Sequence, residues 1–157
     1  MNNLPHIRVL ILNYNGEKIL NRCVQSVLDN DYENLSIDVI DNNSQDASII
    51  LLKEKFDNVE VHQTGKNLGF GGGYNFAFNK LKKTDAEYYL LLNNDAILSK
   101  KIIQNLLINM NRYGKENLYA PKILYTNSSK LWFAGGTYNK FLGIARHIGI
   151  NKFEDNI

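Results

Sequence analysis

The sequence predicts an α/β fold in which a mostly parallel sheet is flanked by helices. Strand-like and helix-like segments alternate three times before a fourth strand-like segment, "YYLLLNND". The strand-like segments are short, rich in β-branched residues and leucine, and end in polar residues, as strands buried on both faces do. The connections are short, which favours right-handed crossovers with helices covering the sheet.

The elements follow in order. Ile7–Asn13 is predicted as the first strand, followed by a helix over about residues 16–29 with Asn15 as N-cap. "LSIDVID" and "ASIILLKEKF" form the next strand and helix. "VEVHQ", a glycine-rich loop and a helix beginning near Tyr74 form the third pair. After the buried strand "YYLLLNND", "KKIIQNLLINMNRY" is an amphipathic helix, "LYAPKILYT" and "LWFAGGTYN" are strands, and the tail from Leu142 shows no clear period.

Composition narrows the classes of function. The 157 residues are 44% hydrophobic, enough for one globular domain with a core. A net charge of +2 gives no basic face that would bind nucleic acid. The lone Cys23 excludes an internal disulfide and a cysteine zinc site, and it fits a reducing compartment. Without an apolar run of about 20 residues, the chain is expected to be soluble and cytoplasmic.

Polar clusters follow each predicted strand, at residues 13–15, 41–44, 65–75 and 93–95. In open parallel sheets, ligands bind beyond the carboxyl ends of the strands, so these clusters are expected to meet at one binding edge. The alternative is that strand ends simply need polar loops.

The glycine-rich loop "GKNLGFGGGYN" matches neither a Walker loop nor the dinucleotide fingerprint, because Tyr74 stands where a last glycine would be. Gly71–Gly73 would let backbone amides approach an anion closely, unless the loop is only a flexible turn. Asp41 ends a strand and suits ribose hydroxyls or a base edge, unless it forms an Asx turn; Ser44 or Asp46 is expected to cap the next helix.

Asp95 ends the apolar stretch "YYLLLNND" with no lysine or arginine beside it. A carboxylate at the end of a buried strand needs a positive partner, and Mg²⁺ or Mn²⁺ with substrate phosphates as co-ligands would supply it. The alternative, a helix cap, is less suited to Asp95 than to Ser99.

Together, "LILNYNG", "VIDNNSQD", "NLGFGGGYN" and "LLNNDA" resemble the family 2 glycosyltransferases of the GT-A fold, especially the bacterial rhamnosyltransferase-like branch, over residues 7–136. The resemblance implies a Rossmann-like nucleotide-diphospho-sugar transferase fold, with "NND" as the DxD-like motif and Asp95 as metal ligand. It implies nucleotide-sugar binding at Asn13, Tyr14, Asn15, Asp41, Asn43, Asn67, Gly71, Gly72, Asn75, Asn93 and Asn94, and an acceptor side at Trp132, Gly135 and Gly136.

The resemblance also implies one domain, residues 1–157, with a nucleotide-sugar-binding half at 1–98 and the start of an incomplete acceptor-side half at 99–157. Inverting members place a carboxylate base further downstream, so we expect a C-terminally truncated domain whose base is absent from the chain. Glu154 and Asp155 in "FEDNI" are weak candidates for the base, and His147 is the other candidate by chemistry alone.

The expected function is inverting sugar transfer from a dTDP- or UDP-sugar, with Mn²⁺ or Mg²⁺, to a glycan or lipid-linked acceptor. Peripheral association with the inner face of the membrane is expected only by family resemblance, and the oligomeric state is left open. Two alternatives remain: a non-catalytic nucleotide-sugar-binding or scaffold module, and a sugar-1-phosphate nucleotidyltransferase. The second alternative would require a basic loop after the first strand, where only Lys18 stands.

Overall fold

A computed structural model of the chain describes residues 4–82 and 85–154. These residues divide into two compact units, of which the first ends at Ile103 and the second begins at Gln104. The division into functional halves at residues 98 and 99 stays a prediction. Asp155, named above as a weak candidate for the base, lies outside the described residues.

The first unit is an α/β structure, as the sequence predicts. Its elements are β1 (Ile7–Asn13), α1 (Leu20–Leu28), β2 (Leu35–Asp41), α2 (Ser48–Lys55), β3 (Val59–Gln63), α3 (Gly69–Lys80) and β4 (Tyr88–Asn93), and α4 (Ile102–Tyr113) begins at its end. The four strands form one sheet in the order β3-β2-β1-β4. Every pairing in it is parallel. The predicted parallel sheet flanked by helices is confirmed.

Helices cover both faces of this sheet because alternate residues of each strand point to opposite sides. On one face, Leu10 and Ile40 form a buried cluster with Tyr74, Ala77 and Leu81 at the α3 side. On the other face, Asn13 bonds to Ser48 at the start of α2, and α2 packs against α1. The buried apolar residues on that side include Val9, Ile11, Val39, Leu20, Cys23, Val24, Val27 and Leu52.

Two helix boundaries differ from the prediction. α1 begins at Leu20 with Ile19 at the N-cap position, so Asn15 is not its cap. Asn15 has φ 50°, a left-handed conformation, and its side chain bonds elsewhere. α3 begins at Gly69, five residues before the predicted start, so the three glycines at 71–73 are helical.

β4 was predicted as a buried strand, and this prediction is wrong. β4 is an edge strand that pairs with β1 alone among the described residues, and only Leu92 of its six residues is buried. Tyr89 and Leu91 are exposed, with the Tyr89 ring edge-on to Phe78. The sequence "YYLLL" suits an edge or a centre equally well, and sheet order decides which it is.

The second unit contains two small antiparallel pairs. β5 (Ile123–Leu124) pairs with β6 (Leu131–Phe133), and β7 (Gly136–Asn139) pairs with β8 (Ile144–His147). Leu131 is fully buried, and its backbone bonds to Lys152 and Asn151. The predicted strand "LWFAGGTYN" is therefore two strands, divided at Gly135, where φ is 106°. The tail that shows no period contains β8.

Candidate functional site

The carboxyl ends of β1 and β4 mark the point where the direction of sheet growth reverses. The chain builds β1, β2 and β3 outward on one side, and then returns to place β4 on the other side of β1. Crevices at such switch points bind ligands in open α/β sheets. Here Asn94 Nδ2 donates to Asn13 Oδ1 at 2.7 Å, which joins the loops after β4 and β1.

Asn13 is fully buried and forms the centre of a hydrogen-bond network at this edge. Its Nδ2 donates to Ser44 Oγ and Ser48 Oγ, each at 3.1 Å, and to Asp41 Oδ1 at 3.3 Å. Gly16 lies against it, because a Cβ on Gly16 would lie 2.2 Å from Asn13 Oδ1. Asn13 therefore holds three loops together from below the surface of the site.

A second set of bonds joins the loops after β1 and β2. Asn15 accepts from the Gln45 amide at 2.8 Å, and Glu17 accepts from the Ala47 amide at 3.2 Å. The N-cap residue of α2 is Ala47, so neither Ser44 nor Asp46 occupies the predicted cap position. Asp46, one residue earlier, accepts from the amides of Glu17 and Ser48, while Ser44 Oγ accepts from Asn13 Nδ2 and the Asn15 amide. Burial acts to raise the pKa of Asp46, but these hydrogen bonds outweigh it and hold that pKa below its usual value.

Asp41 is buried, and its carboxylate is hydrogen-bonded to neighbouring residues. Its carboxylate accepts from Ser44 Oγ at 2.6 Å, from the Ser44 amide and from Asn13. Asp41 therefore orders the loop, as the alternative supposed, but through the amide three residues on rather than the amide two residues on that defines an Asx turn. In this structure the side chain organises the loop, and contact with a ribose or base stays a prediction.

Asn42 is a residue that the sequence reasoning missed. It is buried, and it links the loop after β2 to the loop after β3 by donating to Asn67 Oδ1 at 3.0 Å and to the Gly69 carbonyl, and by accepting from the Leu68 amide. The sequence instead predicts nucleotide-sugar binding at its neighbour Asn43, which has a left-handed backbone conformation with φ 67°. If the alternation of the strand is continued past Ile40, Asn42 lies on the same side as buried Ile40, and this pattern could have distinguished Asn42 from Asn43.

The end of β4 is different, because Asp95 is exposed. Among the described residues it forms no ion pair within 4.0 Å. Contrary to the prediction, Asp95 is not buried and its charge is not costly, and this exposed carboxylate, unpaired among the described residues, is available to a cation. Burial, and secondly the charge of Asp95, raise the pKa of the nearby Cys23 thiol to about 12, so this thiol stays protonated.

The other predicted nucleotide-sugar-binding residues lie in these loops, at the end of β4 or in the first half of α3. Tyr14 is half exposed, Asn67, Gly71, Asn75 and Asn93 are exposed, and Asn94 and Gly72 are partly buried. Asn67 also accepts from the Gly69 amide at 2.9 Å, at the start of α3. Their role in donor binding stays a prediction.

The predicted acceptor-side residues Trp132, Gly135 and Gly136 are in the second unit, and their role is likewise untested. His147 packs edge-on to Trp132, with ring centroids 5.5 Å apart. Glu154 is paired with Lys122. Within the described part of the second unit, the contacts of His147 and Glu154 are structural and do not bring either side chain to a second catalytic group.

A group of metal-ligating side chains lies away from the loop edge, within strands β2 and β3. Asp38, Glu60 and His62 bring donor atoms within 4.8 Å of one another. Asp38 is fully buried and already receives Arg8 Nε at 2.6 Å and contacts His62 Nε2 at 2.6 Å. Because the Arg8 guanidinium is already hydrogen-bonded to the Asp38 carboxylate, these side chains are better explained as an ion-pair network than as a metal centre.

Comparison with known proteins decides the family. The model of glycosyl transferase family 2 matches residues 8–154, nearly the whole chain. The chain belongs to glycosyl transferase family 2. The family assignment sets the nucleotidyltransferase alternative aside.

The relatives of this chain are longer proteins. An uncharacterised glycosyltransferase of Haemophilus influenzae is 27% identical over 110 residues, which are 68% of this chain and 33% of the relative. A Methanococcus voltae protein, dolichyl N-acetyl-α-D-glucosaminyl phosphate 3-β-D-2,3-diacetamido-2,3-dideoxy-β-D-glucuronosyltransferase, is 24% identical over 125 residues, 74% of this chain and 36% of the relative. The chain spans about a third of the length of such relatives.

Solved structures support the fold. TarS of S. aureus, residues 1–349 in complex with UDP-GlcNAc, superimposes with a TM-score of 0.60 and 22% identity, covering 69% of this chain and 32% of that chain. The mannosyltransferase PcManGT of Pyrobaculum calidifontis, in complex with GDP-Man and Mn²⁺, gives 0.61 and 17% identity over 69% of this chain and 33% of that protein. The GT-A-like fold of the chain is thereby confirmed.

Proposed function

We propose that this family 2 glycosyltransferase binds a nucleoside-diphosphate sugar at the carboxyl edge of β1, β2 and β4, with Mn²⁺ or Mg²⁺ held at Asp95. The observation that carries the proposal is the exposed, unpaired Asp95 carboxylate at the switch point, next to a loop network fixed by buried Asn13. Structural neighbours that hold UDP-GlcNAc, or GDP-Man with Mn²⁺, share this fold.

The donor groups present suit such an ion. Mg²⁺ and Mn²⁺ prefer oxygen ligands and often take only one or two from the protein, with phosphates completing the shell. Asp95 offers one carboxylate, and the Asn93 side chain is exposed beside it. When bound, the ion would neutralise the charge that develops on the diphosphate leaving group.

The remaining residues position the donor. The network around Asn13, Asp41 and Ser44 fixes the loops before any ligand arrives, which lowers the entropy cost of binding. Exposed Tyr14, Asn67 and Asn75 are proposed to contact the nucleotide or sugar, with amides of the first α3 turn near the phosphates.

Sugar transfer is proposed to invert the anomeric centre, with a base that deprotonates the acceptor hydroxyl. Because Glu154 is paired with Lys122, and because the chain spans about a third of its relatives, we propose that the base belongs to a part of the protein outside this sequence. The acceptor is proposed to be a glycan or a lipid-linked sugar, in line with the dolichyl-phosphate-linked acceptor named for the M. voltae relative.

The donor is proposed to be a dTDP- or UDP-sugar, and the rhamnosyltransferase-like branch suggested by "LLNND" favours dTDP. A cytoplasmic location is proposed because the lone Cys23 is reduced and buried. Among the described residues, no helix is long and apolar enough to cross a bilayer.

Calorimetric titration tests the donor site. UDP, dTDP and GDP are titrated with Mn²⁺ and, separately, with EDTA into the unchanged protein, Asp95→Ala and Asp57→Ala. Asp57 is a matched exposed aspartate in the turn between α2 and β3. We expect one nucleotide to bind only with Mn²⁺, Asp95→Ala to weaken it at least about tenfold, and Asp57→Ala to bind normally.

If no nucleotide binds with or without Mn²⁺, the donor-site proposal is wrong, and a non-catalytic module becomes the better explanation. If a nucleotide binds equally well in EDTA and in Asp95→Ala, the metal role of Asp95 is wrong while the donor site remains.

A further inference from the structure

The β7–β8 hairpin of the second unit exposes large apolar side chains. Every residue of β7 and β8 is exposed, and between the strands Phe141 is 88% and Leu142 is 70% exposed. Tyr138 is 69% exposed on β7. Large clusters of exposed apolar side chains mark sites of interaction with proteins or membranes.

The tip that carries these side chains is ordered by its own hydrogen bonds. Asn139 Oδ1 accepts from the amides of Phe141 at 3.0 Å and Leu142 at 3.1 Å. Gly143 supplies the left-handed residue that closes the turn, with φ 65°. The turn therefore presents Phe141 and Leu142 side by side at the end of the hairpin.

The charged residues in the stretch of sequence that contains the hairpin have one sign. No acidic residue occurs between Glu116 and Glu154, whereas this stretch contains Lys122, Lys130, Lys140, Arg146 and Lys152. Lys140 Nζ lies 5.3 Å from the centroid of the Phe141 ring, so a cation sits directly beside the apolar tip. Arg146 is opposite Thr137 in the register of the hairpin.

An anionic lipid surface matches both properties. Apolar side chains enter the boundary between headgroups and acyl chains, while lysine and arginine stay at the level of the phosphates. Each basic residue near such a surface contributes about 1 kcal/mol. A protein partner would explain the apolar tip but gives no reason for a stretch without acidic residues.

We propose that the β7–β8 hairpin is a membrane-docking element, in which Phe141 and Leu142 insert into an anionic bilayer surface and Lys140 and Arg146 contact its phosphates. The element needs no nucleotide and lies outside the donor site. Its test is therefore independent of the donor-site proposal. It would keep the enzyme at a surface that carries a lipid-linked acceptor.

Vesicle flotation tests the proposal on the full chain without nucleotide. The vesicles contain phosphatidylcholine alone or phosphatidylcholine mixed with phosphatidylglycerol. We expect the protein to float with the anionic vesicles only and to be released by high salt. The double variant Phe141→Ser, Leu142→Ser should bind about tenfold more weakly or worse, and Lys140→Gln about fivefold more weakly.

Matched controls distinguish binding by the hairpin from non-specific adsorption of the protein to vesicles. Leu118→Ser removes a leucine elsewhere in the second unit that is more exposed than Leu142, and Lys115→Gln removes a lysine outside the acid-free stretch. Both controls should bind vesicles like the unchanged protein, and circular dichroism should show that every variant is folded.

A fluorescence measurement reports insertion directly. Trp132 is the single tryptophan, so Phe141→Trp in a Trp132→Phe background places the only indole at the tip. Its emission should shift to the blue with anionic vesicles and be quenched by brominated lipid, whereas Leu118→Trp in the same background should not change. Unshifted emission from the tip, equal flotation of the double variant, or equal binding to neutral vesicles would overturn the proposal.

Discussion

The loops after β1, β2 and β3 differ from the loop after β4 in how they use their polar side chains. At the ends of β1 and β2, the buried side chains of Asn13, Asp41 and Asn42 hold these loops together, and Asn42 also bonds to Asn67 in the loop after β3. After β4, only Asn94 joins that network, and Asp95 is exposed and unpaired among the described residues.

The buried side chains support the structure of the loops, whereas the exposed Asp95 is available to contact a ligand. A buried amide or carboxylate with every neighbour satisfied fixes geometry and is costly to remove. An exposed carboxylate without a partner contributes little to folding and is free to bind a ligand. Stability and nucleotide binding should therefore respond in opposite order to substitutions at Asn13, Asp41 and Asp95.

The largest loss of stability is expected at Asn13. Asn13→Ala removes four hydrogen bonds and takes one partner each from buried Asp41 and Ser48, which should lower the free energy of unfolding by about 3 kcal/mol. Urea denaturation followed by circular dichroism measures it. The control Asn79→Ala, on the exposed face of α3, should change it by less than about 0.5 kcal/mol. Equal effects would show that the network is not a support.

A smaller loss is expected for Asp41→Asn. The amide keeps one accepting oxygen but loses the charge-assisted bond from Ser44 Oγ, so the free energy of unfolding should fall by about 1–2 kcal/mol. The same denaturation experiment measures this change. Ser44→Ala should lower the free energy of unfolding by a similar amount. The double variant should lower it by less than the sum of the two, because both substitutions remove the same hydrogen bond.

The smallest change in stability is expected for Asp95→Ala. Removing an exposed charge should alter the free energy of unfolding by less than about 0.5 kcal/mol. Differential scanning calorimetry without metal tests this variant alongside its nucleotide titration. A marked loss of stability would show that Asp95 supports the loop like Asp41, and would remove the contrast between the two regions.

The sequence predicts the strands of the first unit well, because their apolar runs end sharply in polar residues. Ile7–Asn13 and the strand ending at Asp41 have the predicted bounds. The meeting of the four loops at one edge follows from parallel pairing alone. What each loop residue does there depends on its depth, and adjacent asparagines such as Asn42 and Asn43 have the same side chain but different exposure.

Other features depend on tertiary packing that the sequence does not reveal. The early start of α3 contradicts the low helix propensity of glycine, and one physical reason is close packing: a Cβ on Gly73 would lie 2.4 Å from Leu12 Cδ1 of β1. Likewise, the edge position of β4 follows from sheet order, which its own residues do not specify.

The start of α3 has a consequence for motion. Four of its first five residues are glycines, and each costs about 1 kcal/mol of helix stability relative to alanine. This turn is therefore expected to open at lower free energy than the rest of the first unit, with fast amide hydrogen exchange at Gly71 and Gly72. Any ligand that requires the closed turn must first supply the free energy of ordering it, so affinity would be linked to local folding.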